Sequence, residues 1–152
     1  MREDIVGPMA HSIQITIASD DPARLARFWE SALGYVQQPP PPGFETWDDF
    51  ADSVGIPEEN RNDLAAVVDP DGAGPRILFE RWDPGPPGKR VHIDINVLED
   101  EDLDESKRED RLRRERERLE ALGATFHRVA TGLAGETWLE MYDPDGNWFC
   151  VQ

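Results

Sequence analysis

A row of polar side chains alternates with apolar ones in segment 91–97 of this 152-residue chain. His92, Asp94 and Asn96 are polar, and valine or isoleucine occupies every position between and beside them. Because successive side chains of a strand point to opposite faces, the pattern predicts a strand with two different faces. An imidazole beside a carboxylate and an amide is typical of a wet, concave, ligand-binding surface. We expect helices against the apolar face.

A second interpretation of this row requires no ligand. The three polar side chains then satisfy one another inside a half-buried sheet, and Glu80 pairs with Arg81 or Arg90 at the surface. The row alone does not decide between these interpretations, so the decision depends on the other predicted strands and helices.

The same alternation occurs in segment 13–18, where Gln14 and Thr16 are the polar members. After it, Asp20 and Asp21 precede Pro22, which is typical of a helix start. Apolar residues at spacings of three and four predict a helix from about Pro22 to Leu33, ended by Gly34. The charged segment 99–120 predicts a second, mostly solvated helix.

The remaining segments are mostly extended. Four consecutive prolines at 39–42 exclude a helix or a central strand, and segment 43–60 is irregular, with a short helix near 49–54. Further strands are predicted at 64–68, 76–82, 124–130, 137–142 and 147–152. The tetrapeptide DPDG predicts a tight turn at Asp69 and again at Asp143.

The order of these elements occurs twice, which indicates an internal duplication. We predict an α+β fold of two βαβββ modules that form one cupped mixed sheet with helices outside. Residues 1–10 are a leader, 11–82 the first module, 83–90 a linker and 91–152 the second module, within one compact domain. Pairing the modules makes Gln14 equivalent to His92 and Glu80 equivalent to Cys150. All four side chains are then expected to face into the cup.

Composition excludes several classes of partner. The net charge is −16, from 32 acidic and 16 basic residues, and such a field repels nucleic acid and anionic lipid. Cys150 is the single cysteine, so neither an intrachain disulfide nor a cysteine-based zinc site is expected. No segment has the pattern of a secretory signal or a membrane span, which favours the cytoplasm.

Four segments of the sequence resemble those of a known superfamily. The helix ends "FWESALGY" and "LEALGATF", the strand "RVHIDINV" and the terminal "DPDGNWFCV" are similar to the vicinal oxygen chelate superfamily, especially its glyoxalase-like domains. Metal-dependent members hold a divalent cation through the first and last strands of each module. By this resemblance the metal ligands are Gln14, Glu80 and His92, and Cys150 stands where a glutamate is usual.

The resemblance leaves two functions open. In one, the three ligands hold Zn, Ni, Fe or Mn, and the metal supports lyase, isomerase or dioxygenase chemistry. Glu140 is then the candidate base, if it faces the cup, which the undetermined strand register leaves open. In the other, the cup contains no catalytic metal.

That alternative is a bleomycin-resistance-type protein that sequesters a small molecule without chemistry. Its candidate ligand-binding residues are Trp47, Trp82, Asp94, Trp138 and Trp148. The resemblance also implies a homodimer, and leaves open whether the modules pair within one chain or between chains.

Overall fold

The structure is a computed structural model, and it describes residues 10–81, 90–99, 103–144 and 146–152. Most of the predicted leader and linker, and Trp82, lie outside the described residues. The strands are β1 (Ile13–Ala18), β2 (Val36–Gln37), β3 (Leu64–Val68), β4 (Arg76–Glu80), β5 (Val91–Ile95), β6 (Thr125–Thr131), β7 (Thr137–Tyr142) and β8 (Trp148–Val151). The α-helices are α1 (Pro22–Leu33), α2 (Trp47–Val54) and α3 (Glu105–Ala121), and a 3₁₀ turn spans Glu58–Asn60.

The described strands form one mixed sheet in the order β2-β3-β4-β1-β5-β8-β7-β6. Each half contributes a parallel pair, β1 with β4 and β5 with β8. The halves join through an antiparallel pair of β1 with β5. The predicted α+β fold with a cupped mixed sheet is confirmed, and the two halves pair within one chain.

Local signals explain where the helices begin and end. Asp21 caps α1 by accepting a hydrogen bond from the backbone of Arg24 at 3.2 Å, and Gly34 ends it in the left-handed region at φ 71°. The helix predicted near 49–54 begins earlier, at Trp47, because Thr46 and Asp49 form a reciprocal capping box. The second long helix begins at Glu105, where Asp104 caps it.

Both long helices pack on the same face of the sheet, which we call the helix face. A continuous row of paired residues on this face runs through Ile77, Ile15, Ile93, Phe149 and Met141. Helix α1 lies over β3 and β4, and α3 lies over β6 and β7. Each helix therefore buries its own apolar cluster at one end of the sheet.

The central strands receive little cover from these helices. On the helix face, Val91 is 57% and Ile93 is 48% exposed, whereas on the opposite face His92 and Asp94 are only 6% and 2% exposed. The expectation that helices cover the apolar side of this strand is therefore wrong, because α1 and α3 pack over the outer strands. The expectation of a wet polar face is also wrong.

In the described part of the chain, no helix combines the length and the apolar character that crossing a membrane would require.

Candidate functional site

Opposite the helices, the concave face of the sheet carries a row of charged and polar side chains. Strand pairing places these residues side by side across the sheet, and we call them the charged row: Arg76, Gln14, Asp94, Cys150, Glu140 and Arg128. The next row along the strands includes Leu78, Thr16 and His92. The polar side chains of both halves therefore meet at the β1–β5 junction.

Asp94 is the centre of this arrangement. Its Oδ2 atom accepts hydrogen bonds from the Gln14 amide and, at 2.7 Å, from the Thr16 hydroxyl. Its Oδ1 atom lies 2.9 Å from Nε2 of His92. A buried carboxylate is costly unless polar groups replace its lost water, and Gln14 and Thr16 provide that replacement at Oδ2. Among the described residues, none donates a hydrogen bond to Oδ1.

The His92 imidazole lies between this carboxylate and an aromatic ring. The ring centroids of His92 and Trp148 are 4.2 Å apart, with an angle of 36° between the planes. Nε2 lies within ion-pair distance of Asp94 Oδ1, but the contact does not have the geometry of a hydrogen bond. The ring is therefore held between the carboxylate and the indole.

Gln14 connects Asp94 to a cation. Its Oε1 atom accepts a hydrogen bond from Nη1 of Arg76, while its Nε2 atom donates to Asp94. Both ends of the amide are therefore engaged. Arg76 also donates from Nε to the side-chain oxygen of Gln38 at 2.6 Å.

Cys150 lies opposite Asp94 and is buried. Burial raises the pKa of its thiol well above the ordinary value, and the charges of Asp94, Glu140 and Glu80 raise it further. The side chain therefore remains a protonated thiol at neutral pH, without the nucleophilicity of a thiolate.

Glu140 faces the cup, because it is the strand partner of Cys150. It also forms a two-point ion pair with Arg128, at 2.7 Å from Nε to Oε2 and 3.1 Å from Nη2 to Oε1. The carboxylate raises the pKa of the Arg128 guanidinium through a hydrogen bond and through its charge. Because both carboxylate oxygens are engaged, Glu140 can act as a base only if this pair opens.

The strand register also compares the two halves directly. Ile15 is opposite Ile93 at the junction, so a local twofold relation makes Gln14 equivalent to His92. Thr16 pairs with Leu78 in the first half, and its equivalent Asp94 pairs with Cys150 in the second. Glu80 shares this face one row further on, and its role as a ligand stays a prediction.

The metal arrangement implied by the resemblance does not fit these residues well. The Gln14 carbonyl oxygen accepts from a guanidinium, and Cys150 stands where the resemblance expects a glutamate. A different donor group does converge. Ligand atoms of His92, Asp94 and Cys150 all lie within 4.8 Å of one another.

Two of the predicted aromatic residues, Trp148 and Trp138, lie on the concave face of the sheet. Trp148 contacts His92, and half-buried Trp138 shares its strand face with Glu140 two residues later. Trp47 begins α2, is 44% exposed, and donates from Nε1 to the backbone oxygen of Gln38 at 2.8 Å.

Three residues of this site were not predicted from the sequence: Arg76, Thr16 and Arg128. Alternation contained a signal for two of them, because Arg76 and Thr16 share strand faces with the predicted ligands Glu80 and Gln14. No such signal marked Arg128, because a register shift between Phe126 and Arg128 interrupts the pairing of β6 with β7.

Several solved structures are similar to this chain. NAD-dependent benzaldehyde dehydrogenase from Legionella pneumophila superposes with a TM-score of 0.54 at 11% identity, covering 91% of this chain and 96% of that one. Methylmalonyl-CoA epimerase from Mycobacterium tuberculosis gives 0.49 at 14% identity, covering 99% and 91%. A glyoxalase/bleomycin resistance protein/dioxygenase superfamily member from Vibrio splendidus 12B01 gives 0.47 at 14% identity, covering 93% and 97%.

Sequence comparison identifies the family. Curated proteins include no significant match to this chain. The model of the glyoxalase-like domain, however, matches residues 14–152, which include both halves of the sheet and all of the charged row. The chain therefore belongs to the glyoxalase-like domain family.

Proposed function

We propose that this protein binds a small molecule in the cup and moves a proton on it through His92, with Asp94 as the positioning residue. The observation that carries this proposal is the 2.9 Å contact between His92 Nε2 and Asp94 Oδ1 on the concave face. A buried carboxylate beside an imidazole is a common arrangement for general acid–base chemistry. The glyoxalase-like fold supplies the cup in which the ligand binds.

The proposed step is a proton transfer to the imidazole. An unprotonated ring nitrogen of His92 accepts a proton from a C–H or O–H bond of the ligand. The bond's electron pair remains on the ligand as a carbanion or oxyanion, and the imidazole becomes an imidazolium. Asp94 stabilises that cation. Return of the proton to the same or another ligand atom regenerates His92, so the chemistry is an exchange, epimerisation or isomerisation.

Hydrogen–deuterium exchange tests the step without knowledge of the natural substrate. Pyruvate, lactate and methylmalonate are incubated with the protein in D2O, and loss of their C–H signals is followed by proton NMR. We expect the wild type to accelerate exchange of at least one acid, and His92→Gln to lower that rate by roughly 100-fold. His127→Gln is the matched control, because that histidine is exposed on β6.

The outcomes of this experiment separate two functions. Equal exchange rates in wild type and His92→Gln would contradict the proton-transfer role. Binding of these acids without any exchange would instead favour the ligand-sequestering function.

A metal-assisted function is the second candidate, and the converging donor atoms of His92, Asp94 and Cys150 favour it. Nitrogen, oxygen and sulfur ligands suit Zn²⁺, which would supply a Lewis acid to the cup. Because Cys150 must lose a proton whose pKa is raised, binding should strengthen as the pH rises.

Co²⁺ titration tests this candidate. We expect a thiolate-to-cobalt absorption band that grows with pH and disappears in Cys150→Ser. Absence of the band in wild type at pH 8, with Co²⁺ in excess, would contradict thiolate coordination. Retention of the band in Cys150→Ser would do the same.

We also propose that the protein is a homodimer joined through the helix face of β1 and β5. Ile13, Val91 and Ile93 are 42%, 57% and 48% exposed there, between the two helices. The antiparallel β1–β5 pair has a local twofold relation, so this apolar surface can complement a second copy of itself.

A further inference from the structure

We propose that Arg76 is the binding site for a carboxylate group of the ligand, so that the cup takes a small organic acid. This inference rests on the proposed ligand-binding function and names its substrate class. It begins with the partners of the Arg76 guanidinium, which are two glutamine side-chain oxygens, those of Gln14 and Gln38. Among the described residues, no carboxylate oxygen forms an ion pair with it.

A second arginine in the chain has a different set of partners. Arg61 is also largely buried, with 27% of its side chain exposed, but its guanidinium is paired with Asp48 and Asp52. Those carboxylates neutralise its charge. The amide oxygens around Arg76 orient its guanidinium without cancelling the charge. A half-buried cation that lacks a direct counter-ion attracts one from a ligand.

Burial makes this charge more effective. Desolvation lowers the pKa of Arg76, while the charge of Asp94 raises it. An arginine remains protonated at neutral pH in any case, so the site keeps a positive charge in a poorly solvated place. Its planar fork can donate two parallel hydrogen bonds to a carboxylate. Such a local site is needed in a chain of net charge −16, whose overall field repels anions.

The site lies within reach of the proposed proton-transfer group. Arg76 is on β4 and His92 on β5, and β1 lies between them. Neighbouring strands are about 4.8 Å apart, so the two backbones are separated by roughly 10 Å across the cup. Side chains from both strands extend into that space. A small acid can therefore place its carboxylate at Arg76 and its exchangeable proton near His92.

Aromatic rings at both ends suggest the body of this acid. Trp148 lies on His92 at one end. At the other, Trp47 and Arg76 both donate to Gln38, one to its backbone oxygen and one to its side chain. An apolar or aromatic body between the two polar groups would contact these rings.

Benzoate and its neutral counterpart benzamide test the proposal, because they have the same size and differ in charge. Binding is measured by NMR shifts of the indole N–H signals of Trp47 and Trp148 in the full-length protein. We expect benzoate to bind at least about tenfold more tightly than benzamide. Arg76→Gln should abolish this preference, and Arg76→Lys should restore part of it.

Arg61→Gln is the matched control, and it should retain the preference for benzoate because Arg61 is already neutralised. Circular dichroism checks that every variant folds. Equal binding of the two probes by wild type would overturn the carboxylate site and leave ligand binding in the cup intact. Retained preference in folded Arg76→Gln would also overturn it. If neither probe shifts the two indole signals, both the carboxylate site and the aromatic-bodied ligand are overturned, while deuterium exchange tests His92 independently.

Discussion

Cys150 and Asp94 lie directly opposite each other across the β5–β8 pair, and both side chains are buried. The fourth position of the resembled metal site is thus part of a buried polar network. Its contribution to stability depends on the thiol proton, and this dependence can be measured.

The first prediction concerns pH. Because the thiol pKa is raised above its ordinary value of 9.0, the unfolded chain loses this proton at a lower pH than the folded protein. The stabilisation is complete below pH 9.0 and is lost as the pH rises above it. We expect the unfolding free energy of wild type to fall by up to about 1.4 kcal/mol per pH unit more steeply than that of Cys150→Ala. Urea denaturation between pH 8 and 10.5 provides the measurement, and parallel slopes would contradict the prediction.

The second prediction concerns Asp94. Its replacement by alanine leaves Gln14, Thr16 and His92 facing a buried position without an acceptor. We expect the unfolding free energy to fall by about 3 kcal/mol, as measured by urea denaturation. Asp71→Ala at an exposed turn position is the control, with a change within about 0.5 kcal/mol. Equal effects of the two replacements would show that the polar network contributes little to stability.

The third prediction concerns the Arg128–Glu140 pair. The Glu140 side chain is 9% exposed and that of Arg128 is 62% exposed, so solvent screens this pair only in part. A double-mutant cycle with Arg128→Gln and Glu140→Gln should give a coupling of about 1 kcal/mol. The exposed pair Arg113–Glu117 on α3 should give a smaller coupling. The prediction fails if the first coupling does not exceed the second.

The fourth prediction concerns association. Ile93→Glu places a charge at the centre of the exposed apolar surface and should convert the proposed dimer to a monomer. Sedimentation velocity at about 100 μM measures the mass, a concentration at which a dimer of micromolar affinity is well populated. Leu133→Glu, in an exposed loop, should leave the dimer unchanged. A monomeric wild type would remove the proposal.

Local patterns predicted the elements of this fold well, because each depends on nearby residues. The alternation in segment 13–18 and the Asp21–Pro22 start of α1 correspond to observed elements. The helix near residue 49 was predicted two residues short. Its start depends on the capping box of Thr46 and Asp49, a sequence pattern that marks the beginning of a helix.

The position of a side chain along its strand was harder to predict than the face of the sheet on which it lies. Glu80 lies two residues beyond Leu78, which is the strand partner of Thr16. A shift of two residues along a strand keeps the face of a side chain and changes only its row. Alternation therefore placed Glu80 on the correct face, but it could not distinguish that residue from Leu78.

Partners across the cup could not be predicted, because they depend on how the sheet closes. Nothing near Arg76 in the chain indicates that Gln14 and Gln38 will accept its hydrogen bonds. Nor does the sequence indicate that Glu140 will be held by Arg128 across a register shift. These contacts decide which predicted ligands remain available.

The twofold relation at the β1–β5 junction has a consequence for the origin of chemical asymmetry in this protein. Two identical half-length chains assembled about the same axis would place two glutamines, or two histidines, at the equivalent positions. Joining unlike halves in one polypeptide allows one position to carry an amide and the other an imidazole. A single covalent chain can thus hold a fixed hydrogen-bonding group beside a proton carrier. A symmetric assembly of one half cannot, because its equivalent positions carry the same residue.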